Sequence, residues 1–410
     1  MGAAEREVER VAREAFGRLV AFLSARSRDV AGAEDALADA LAAALDRWPR
    51  DGVPRSPEAW LLTVARRRMA DRTRHAKVAA AAAEHLRLAQ EEAEAAMSEA
   101  PDFPDERMGL LFACAHPAVD ASARTPLMLQ VVLGLDAGRI ASAFLTSPAT
   151  MTKRLTRAKA KIAQAGVPFS KPDPSEAGDR LQAVLAAIYA AYTLGWDDPL
   201  GADGKRDGLT VEAIWLGRMT AHLLPHEPEA GGLLALMLFC EARRHARRDA
   251  AGGFIPIDQQ NPDLWDEAQL AEAEAILRKT GPVGRIGRYQ LEAAIQAVHA
   301  ARRSNGAVDW PTILHLYEGL VLVSPSIGAR VGRAAALASA GSHRDALAAL
   351  EELSGRPVAQ YQPYWATRAH VLALLGRDCE AATDYARAAG LTEDAAVREF
   401  LLSRRRTLTN

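Results

Sequence analysis

Segment 125–164 constrains the fold most strongly. Its pattern predicts a helix, a short turn carrying Gly138, a second short helix, a turn at Ser147 and Pro148, and a third helix. One face of the third helix has apolar residues at the spacing of a buried stripe: Met151, Leu155, Ala158 and Ile162. The rest of that helix carries only basic charge: Lys153, Arg154, Arg157, Lys159 and Lys161. A helix-turn-helix requires this division, because its last helix packs on its own domain and also faces phosphates and base edges in a DNA groove.

Composition predicts an all-α protein with more than one domain. At 410 residues the chain exceeds the size of one ordinary core, so two or three domains are expected. Hydrophobic residues at 49% and charged residues at 25% match a soluble globular protein. The sequence is rich in alanine and poor in aromatic and β-branched runs, which favours helices throughout, and no segment has the pattern of a strand.

Charge and cysteine usage restrict the compartment and the kind of site. The formal net charge of −2 does not argue against nucleic-acid binding, since such binding follows local patches. Cys114, Cys240 and Cys379 are remote from one another, so neither a disulfide framework nor a zinc site is predicted, as suits a reducing cytoplasm. The most apolar stretch, 233–240, is too short to span a bilayer and the N-terminus lacks a signal-type apolar run, so we expect a cytosolic protein without a membrane partner.

Two predicted helices that precede segment 125–164 carry unusual charge. Helix 58–77 packs through Trp60 and its apolar neighbours, and its other face is cationic: Arg66, Arg67, Arg68, Arg72, Arg74 and Lys77. A solvated face normally mixes both signs, and here only Asp71 interrupts the run, so nucleic-acid contact and ordinary surface both stay open. Helix 30–48 carries carboxylates near its start, where acid stabilises a helix through the macrodipole: Glu34, Asp35 and Asp39.

The stretch between the two basic helices looks like a linker. Segment 76–100 is a low-complexity Ala/Glu sequence with weak patterning, and prolines end it. The second module begins at Asp105. Its Cys114 and His116 have no partners at zinc spacing, and Cys114 lies on an apolar face, so core packing is a better interpretation than a metal site.

The C-terminal half contains a repeat. Segment 309–325 matches the second half of a tetratricopeptide repeat, and two later segments repeat it. Equivalent positions are Ile313, Ala346 and Ala381, which lie 33 and 35 residues apart and so bracket a period of about 34. A degenerate copy is predicted at 212–225. Stacked helical hairpins leave a concave surface, which binds partners more often than it performs chemistry.

No segment has the pattern of an active site. Gly281, Gly284 and Gly287 follow no strand and lack the spacing of a phosphate loop, so a turn between helices is the better interpretation. The histidines are scattered, and none forms a metal motif or accompanies a nucleophile. We therefore predict a protein that is not an enzyme and has no catalytic residue, metal or cofactor.

The N-terminal part resembles the extracytoplasmic-function group of RNA polymerase sigma factors. Segments 31–49 and 56–75 are similar to the two helices of conserved region two, and segment 105–162 is similar to conserved region four. The resemblance covers about the first 170 residues. The remainder is similar to the subgroup that has a long tetratricopeptide-like C-terminal extension, in segments 180–196, 262–274, 287–301 and 309–320. The longer turn at 193–210 departs from that subgroup.

The resemblance implies a role for each charged helix. An acidic surface that includes Asp35 and Asp39 would bind core RNA polymerase. The downstream promoter element, where DNA melts, would be contacted by Trp60, Arg66, Arg67, Arg68 and Arg74. The upstream element would be contacted in its major groove by Thr150, Thr152, Lys153, Arg154 and Arg157, with Lys159 and Lys161 holding phosphate.

The sequence thus predicts a sigma factor in which two tethered DNA modules act together. The expected domains are region two at 1–77, a linker at 78–104, region four at 105–168 and a helical-repeat extension at 169–410. The extension would regulate the other modules by an intramolecular contact, or recruit a regulatory protein, and a truncation near Pro168 should leave those modules folded. Two other functions stay open: a helix-turn-helix regulator that acts without polymerase docking, and a ligand-binding repeat scaffold, or even an enzyme, that the N-terminal modules regulate.

Overall fold

The all-α prediction is confirmed. The computed structural model describes residues 2–76, 106–144, 146–169, 177–196, 207–281, 284, 286–353 and 356–409. Within these ranges the chain is almost entirely helical, and the only β-type pairing is an isolated antiparallel bridge between Arg248 and Phe254. None of the helices in the described ranges is long and apolar enough to cross a membrane. The predicted linker 78–104 lies outside the described residues.

The chain divides into two compact units, residues 1–216 and 217–410. The first unit contains both predicted N-terminal modules and continues through the start of the predicted extension. Its helices, as far as the chain is described, are α1 Ala3–Glu14, α2 Phe16–Ser27, α3 Val30–Asp51, α4 Pro57–Ala76, α5 Arg107–Cys114, α6 Ala121–Val131, α7 Ala137–Ala143, α8 Pro148–Gln164 and α9 Ala177–Trp196. Helix α10, Asp207–Leu223, runs across the boundary between the units.

In the first unit, helices of the two predicted N-terminal modules pack on one another. Helices α2 and α3 contact each other, α2 also contacts α5 and α6, and α3 contacts α8. Between α2 and the end of α6 the backbones approach so closely that only glycine fits at Gly17, because a Cβ there would lie 1.7 Å from the carbonyl oxygen of Val132. Segments of the two predicted N-terminal modules therefore pack directly on each other in this structure.

Helix α9 completes the first unit. It packs on α5 and α6, and its buried face includes Leu181, Val184, Leu185, Ile188 and Tyr192. A chain that ended near Pro168 would remove this face and expose the apolar surface of α5 and α6. This packing argues against the expectation that such a truncation leaves the N-terminal modules folded, and the outcome of the truncation stays a prediction.

The second unit is a succession of helices. In the described ranges these are α11 Pro228–Glu241, α12 Glu267–Thr280, α13 Arg288–Asn305, α14 Trp310–Val323, α15 Ile327–Ser339, α16 His343–Glu351, the short α17 Arg356–Ala359, α18 Gln362–Leu374, α19 Asp378–Gly390 and α20 Ala395–Thr409. Contacts link neighbours along the chain, from α13 with α14 to α19 with α20. The three equivalent repeat positions, Ile313, Ala346 and Ala381, are all fully buried.

Helix α11 is the central element at the start of the second unit. It contacts both α12 and α13. A Cβ on Gly232 would lie 2.7 Å from the backbone nitrogen of Gln290, so glycine allows this close approach. The buried carboxylate of Glu229 accepts hydrogen bonds from the backbone N–H groups of Tyr289 and Gln290, at 3.1 and 3.0 Å. It thereby satisfies two of the unpaired donors at the start of α13.

Candidate nucleic-acid interface

Helix α8 has the two faces that the sequence predicts. Ser147 caps its N-terminus by accepting a hydrogen bond from the Thr150 N–H at 3.3 Å, and Pro148 occupies its first position. The predicted apolar stripe is buried: Met151, Leu155, Ala158 and Ile162. Helices α6 and α7 contact α8, so the stripe holds α8 on its own module while the opposite face stays in solvent.

The turn that precedes α7 differs from the prediction. Gly138 lies inside the first turn of α7, and Asp136 caps that helix by accepting from the N–H groups of Gly138 and Arg139 at 2.9 and 3.0 Å. The turn glycine is Gly134, whose φ of 66° ends α6 in the left-handed conformation. The sequence contains two glycines close together, and the capping aspartate decides which of them is helical.

The solvent face of α8 carries most of its predicted DNA-contacting residues. Four side chains are exposed: Thr150, Thr152, Lys153 and Arg157. The hydroxyl of Thr152 donates to the Pro148 carbonyl at 2.9 Å, whereas Thr150 shares a 2.8 Å hydrogen bond with Ser147. Arg154 is half-buried, and its guanidinium lies 3.5 Å from the Ser122 carbonyl. Lys153 and Arg157 are therefore the most exposed cations of this face.

The two remaining lysines of α8 contact carboxylates. The Nζ of Lys161 lies 2.9 Å from Asp120 in an exposed pair within the same module. The Nζ of Lys159 lies 2.5 Å from Glu34 of α3, and both side chains of this pair are about 85% buried, with 15% and 14% of their surface exposed. The sequence predicts phosphate contacts for both lysines, and in this structure both are occupied by protein partners.

The sequence pattern indicated that Glu34 stabilises the start of α3, whereas in the structure it pairs with Lys159. Helix α3 begins at Val30, and its capping residue is Asp29, which accepts from the Gly32 N–H at 2.9 Å. Glu34 lies beyond the first turn, where the helix macrodipole has weakened. Burial raises the pKa of the Glu34 carboxyl, and Lys159 opposes that shift. The pattern of the sequence contains no signal that pairs these two residues.

The acidic surface of α3 lies beside this contact. Asp35 and Asp39 are exposed and stand one helical turn apart, so they share a face of α3. Neither belongs to the first turn of the helix. The plain interpretation of these two carboxylates as stabilisers of the helix start is therefore weakened, and a surface that meets a basic partner remains a prediction.

Helix α4 places its basic residues at different depths. Arg67 and Arg68 are exposed, whereas Arg66 is half-buried with its guanidinium 5.1 Å from the ring centroid of Phe22. Trp60 is half-buried and contacts Trp48 edge to face, with the ring centroids 5.6 Å apart. The side chains of Arg72 and Arg74 and the whole of Lys77 lie outside the described residues.

The interpretation of Cys114 as a core residue is confirmed. Its side chain is fully buried, and burial raises the pKa of its thiol. The neighbouring His116 uses its Nδ1 to accept from the Ala118 N–H at 3.1 Å. Across the described part of the chain, no group of three or more His, Cys, Asp or Glu side chains is placed to hold a metal ion.

Sequence reasoning missed one contact that ties α5 to α10. Arg107 is buried, forms an ion pair with Glu212, and lies over the ring of Trp215 at 4.0 Å from its centroid. An arginine at the start of an apolar helix gives no sequence signal of such a long-range partner.

Two family models and one relative match parts of this chain. Residues 12–78 match the model of sigma-70 region 2, and residues 180–281 match a family of unknown function, DUF6596. An uncharacterized protein of Rhizobium meliloti (strain 1021), R00370, is 37% identical over 392 residues, which is 95% of this chain and 92% of the relative. No solved structure matches. The chain therefore belongs to the same family as this Rhizobium protein, and residues 12–78 are similar to region 2 of the sigma-70 family.

Proposed function

We propose that this chain is a sigma factor of the extracytoplasmic-function group that binds core RNA polymerase in the cytoplasm and directs initiation at specific promoters. The observation that carries the proposal is the region 2 match at residues 12–78, which begins in α1, includes the acidic face of α3 and the basic face of α4, and ends two residues after α4. A sigma-70 role in transcription agrees with these two surfaces. The proposed protein performs no catalysis of its own.

Polymerase docking is assigned to α3. Asp35 and Asp39 present two carboxylates on one exposed face, which suits a partner surface rich in lysine or arginine. The downstream promoter element is assigned to α4, where Arg67 and Arg68 are exposed and can pair with phosphate. Trp60 already packs on Trp48, so only its remaining free surface can stack on a base.

The upstream element is assigned to α8. A helix with a buried apolar stripe, a capped N-terminus and an exposed cationic face fits the second helix of a helix-turn-helix in the major groove. Arg157 is the best candidate for a strong contact, because it is exposed and arginine makes bidentate hydrogen bonds with guanine or phosphate. Thr150 and Thr152 lie near the helix start and contribute shorter contacts.

The extension is assigned a regulatory role through tetratricopeptide-like helical hairpins. The buried repeat positions and the contacts between successive helices in the second unit support this assignment. Its partner is either a regulatory protein or another part of this chain.

The decisive experiment is transcription in vitro with core polymerase, this protein and a library of promoters, combined with a pull-down of core polymerase. We expect Arg157→Ala to reduce promoter-directed transcription by about 10-fold, because one base or phosphate contact contributes about 1–3 kcal/mol. Binding to core polymerase should be unchanged. Arg50→Ala is the matched control, because Arg50 is an exposed arginine at the end of α3. A protein that binds duplex DNA but neither binds nor activates core polymerase would refute the sigma-factor proposal.

A further inference from the structure

An irregular segment of the second unit lies across its repeat helices. This segment, residues 248–265, lies between α11 and α12, and we call it the strap. It contains two short 3₁₀ turns, Ile257–Gln259 and Pro262–Leu264, and no α-helix. Of its residues only Gln260 and Trp265 are buried. The strap is therefore held by a few surface contacts rather than by a hydrophobic core of its own.

The start of the strap is a tight turn that carries two recognition groups. The side chain of Asp249 accepts hydrogen bonds from the N–H groups of Ala251 and Gly253, at 2.9 and 2.7 Å. An antiparallel bridge joins Arg248 to Phe254 across this turn. The Arg248 guanidinium lies 5.9 Å from the centroid of the Phe254 ring. The turn thus presents a cation and an aromatic ring side by side.

Both groups contact the last helix of the repeat array. Arg248 forms an ion pair with Asp394, and only 11% and 23% of these two side chains are exposed. The Phe254 ring meets the Phe400 ring of α20 edge to face, with the centroids 5.5 Å apart. Asp394 also caps α20, because it accepts a hydrogen bond from the Val397 N–H at 3.2 Å. One charged and one aromatic contact therefore fix the turn of the strap to the start of α20.

The rest of the strap contacts α13. The Arg302 guanidinium of this helix donates to the backbone carbonyls of Asp258 and Gln260, at 2.6 and 2.7 Å. It also lies 5.2 Å from the ring centroid of Trp265. Because every residue has a backbone carbonyl, the hydrogen bonds of Arg302 recognise a path of the chain rather than particular side chains.

The contacted helices belong to one layer of the array. In stacked hairpins the first helices form one layer and the second helices form another. The first helices here are α13, α15, α18 and α20, since each of three hydrophobic clusters joins a hairpin to the first helix of the next one. The strap contacts the two end members of this layer, α13 and α20. It therefore covers part of the surface of the layer.

The strap is seated with unpaired polar groups. Among the described residues, buried polar atoms without a hydrogen-bond partner include two guanidinium nitrogens of Arg248, the amide oxygen of Gln260 and the indole nitrogen of Trp265. A polar group that loses water on burial and gains no partner opposes that burial. The strap therefore combines specific contacts with an unfavourable contribution, which suits a segment that a competing ligand can displace.

We propose that the strap is an internal ligand of the repeat array, and that a partner protein displaces it with a segment of the same chemistry. That segment is a tight turn with an arginine beside an aromatic ring, followed by backbone carbonyls. Its guanidinium pairs with Asp394, its ring packs on Phe400, and its carbonyls accept from Arg302. This inference rests on the proposed function, since displacement of the strap is the step by which a regulatory protein acts on the extension.

The first test measures binding of a fluorescent synthetic peptide of residues 246–266 to the full-length protein by anisotropy. An intact strap competes with this peptide at an effective concentration on the order of 1 mM. A peptide with a Kd of about 100 µM for the uncovered surface should therefore bind about 10-fold more tightly once the strap is released. Arg248→Ala with Phe254→Ala should release it. A peptide with alanine at both positions is the matched control and should bind neither protein.

The second test changes the surface instead of the strap. Asp394→Asn, added to the strap-released variant, should weaken peptide binding by about 10-fold, because it removes the charge that the arginine pairs with and keeps an oxygen that caps α20. Glu399→Gln is the matched control and should leave binding unchanged, since Glu399 is an exposed carboxylate of α20 that pairs with Arg406. In the wild type, excess peptide should accelerate hydrogen exchange in the strap and leave α15 and α16 unchanged.

The outcomes separate this inference from the proposed function. Equal peptide binding by the wild type and the strap-released variant, or binding by neither, overturns the proposal and leaves the strap as a fixed part of the fold. If the released variant is unfolded, the wild-type exchange experiment decides, and a strap that exchanges no faster with peptide present overturns the proposal. None of these measurements needs polymerase. Failure to bind core polymerase, with the peptide tests positive, would refute the sigma-factor assignment and leave displacement of the strap in place.

Discussion

The substitution Gly17→Ala tests the close approach between α2 and the end of α6. The new Cβ would lie 1.7 Å from the carbonyl oxygen of Val132 and 2.6 Å from its carbonyl carbon. Both are backbone atoms, so no change of rotamer can relieve the overlap. The helix and the turn must move apart, and that movement separates parts of the two N-terminal modules.

The size of the effect follows from two opposing contributions. An ordinary carbon–oxygen contact is about 3.3 Å, so the backbones must separate by roughly 1.5 Å, which exceeds what packed side chains absorb. Overpacking of this kind costs typically about 1–3 kcal/mol and occasionally more. Replacing a helical glycine by alanine returns about 0.5–1 kcal/mol. We expect a net loss of about 1–2 kcal/mol from the free energy of unfolding of the first unit.

The assay is urea unfolding together with peptide-resolved hydrogen exchange. Exchange should accelerate in α2 and in the turn that contains Gly134, and should stay unchanged in the second unit. Gly178→Ala is the matched control, because Gly178 is helical and a Cβ there meets nothing within 4 Å; it should stabilise the unit by about 0.5–1 kcal/mol. If Gly17→Ala stabilises as the control does, the close approach is absent from the protein in solution.

Two other predictions concern pH and truncation. Burial, assisted by Arg243 and Arg302, lowers the pKa of His299 to about 4 from its ordinary value of 6.5. The folded state keeps this histidine neutral, so the second unit should lose about 3 kcal/mol of unfolding free energy as pH falls through that interval. His299→Phe should remove this loss in denaturation curves recorded across the interval, and an unchanged loss would show that another group is responsible. Truncation after Leu224 keeps α9 and α10 whole, so the first unit should stay folded by circular dichroism, and the transcription rate should change if the extension regulates it. Truncation after Pro168 removes α9, so this shorter protein should aggregate. Equal solubility of the two truncated proteins would contradict the role given to α9.

Local patterns were sufficient for the parts of the site that depend on one helix. The period of apolar residues in 148–164 identified the buried side of α8. Helical spacing of apolar residues around Cys114 likewise predicted that this cysteine lies in the core. These predictions succeed because the faces of a helix repeat every 3.6 residues, so burial of one position determines its neighbours one turn away. The prediction that Gly138 lies in the turn was wrong, and Gly134 is the turn glycine, because a capping hydrogen bond rather than periodicity sets the start of a short helix.

Residue patterns were enough to predict the all-α class, the amphipathic division of α8, the charge of α3 and α4, and the resemblance to sigma factors. Only the tertiary structure showed that Lys159 meets Glu34, that Gly17 allows two backbones to touch, and that α9 belongs to the first unit. These contacts join residues that lie far apart in the sequence. Such contacts depend on how helices pack in three dimensions, and a single sequence records the partners without recording which of them meet.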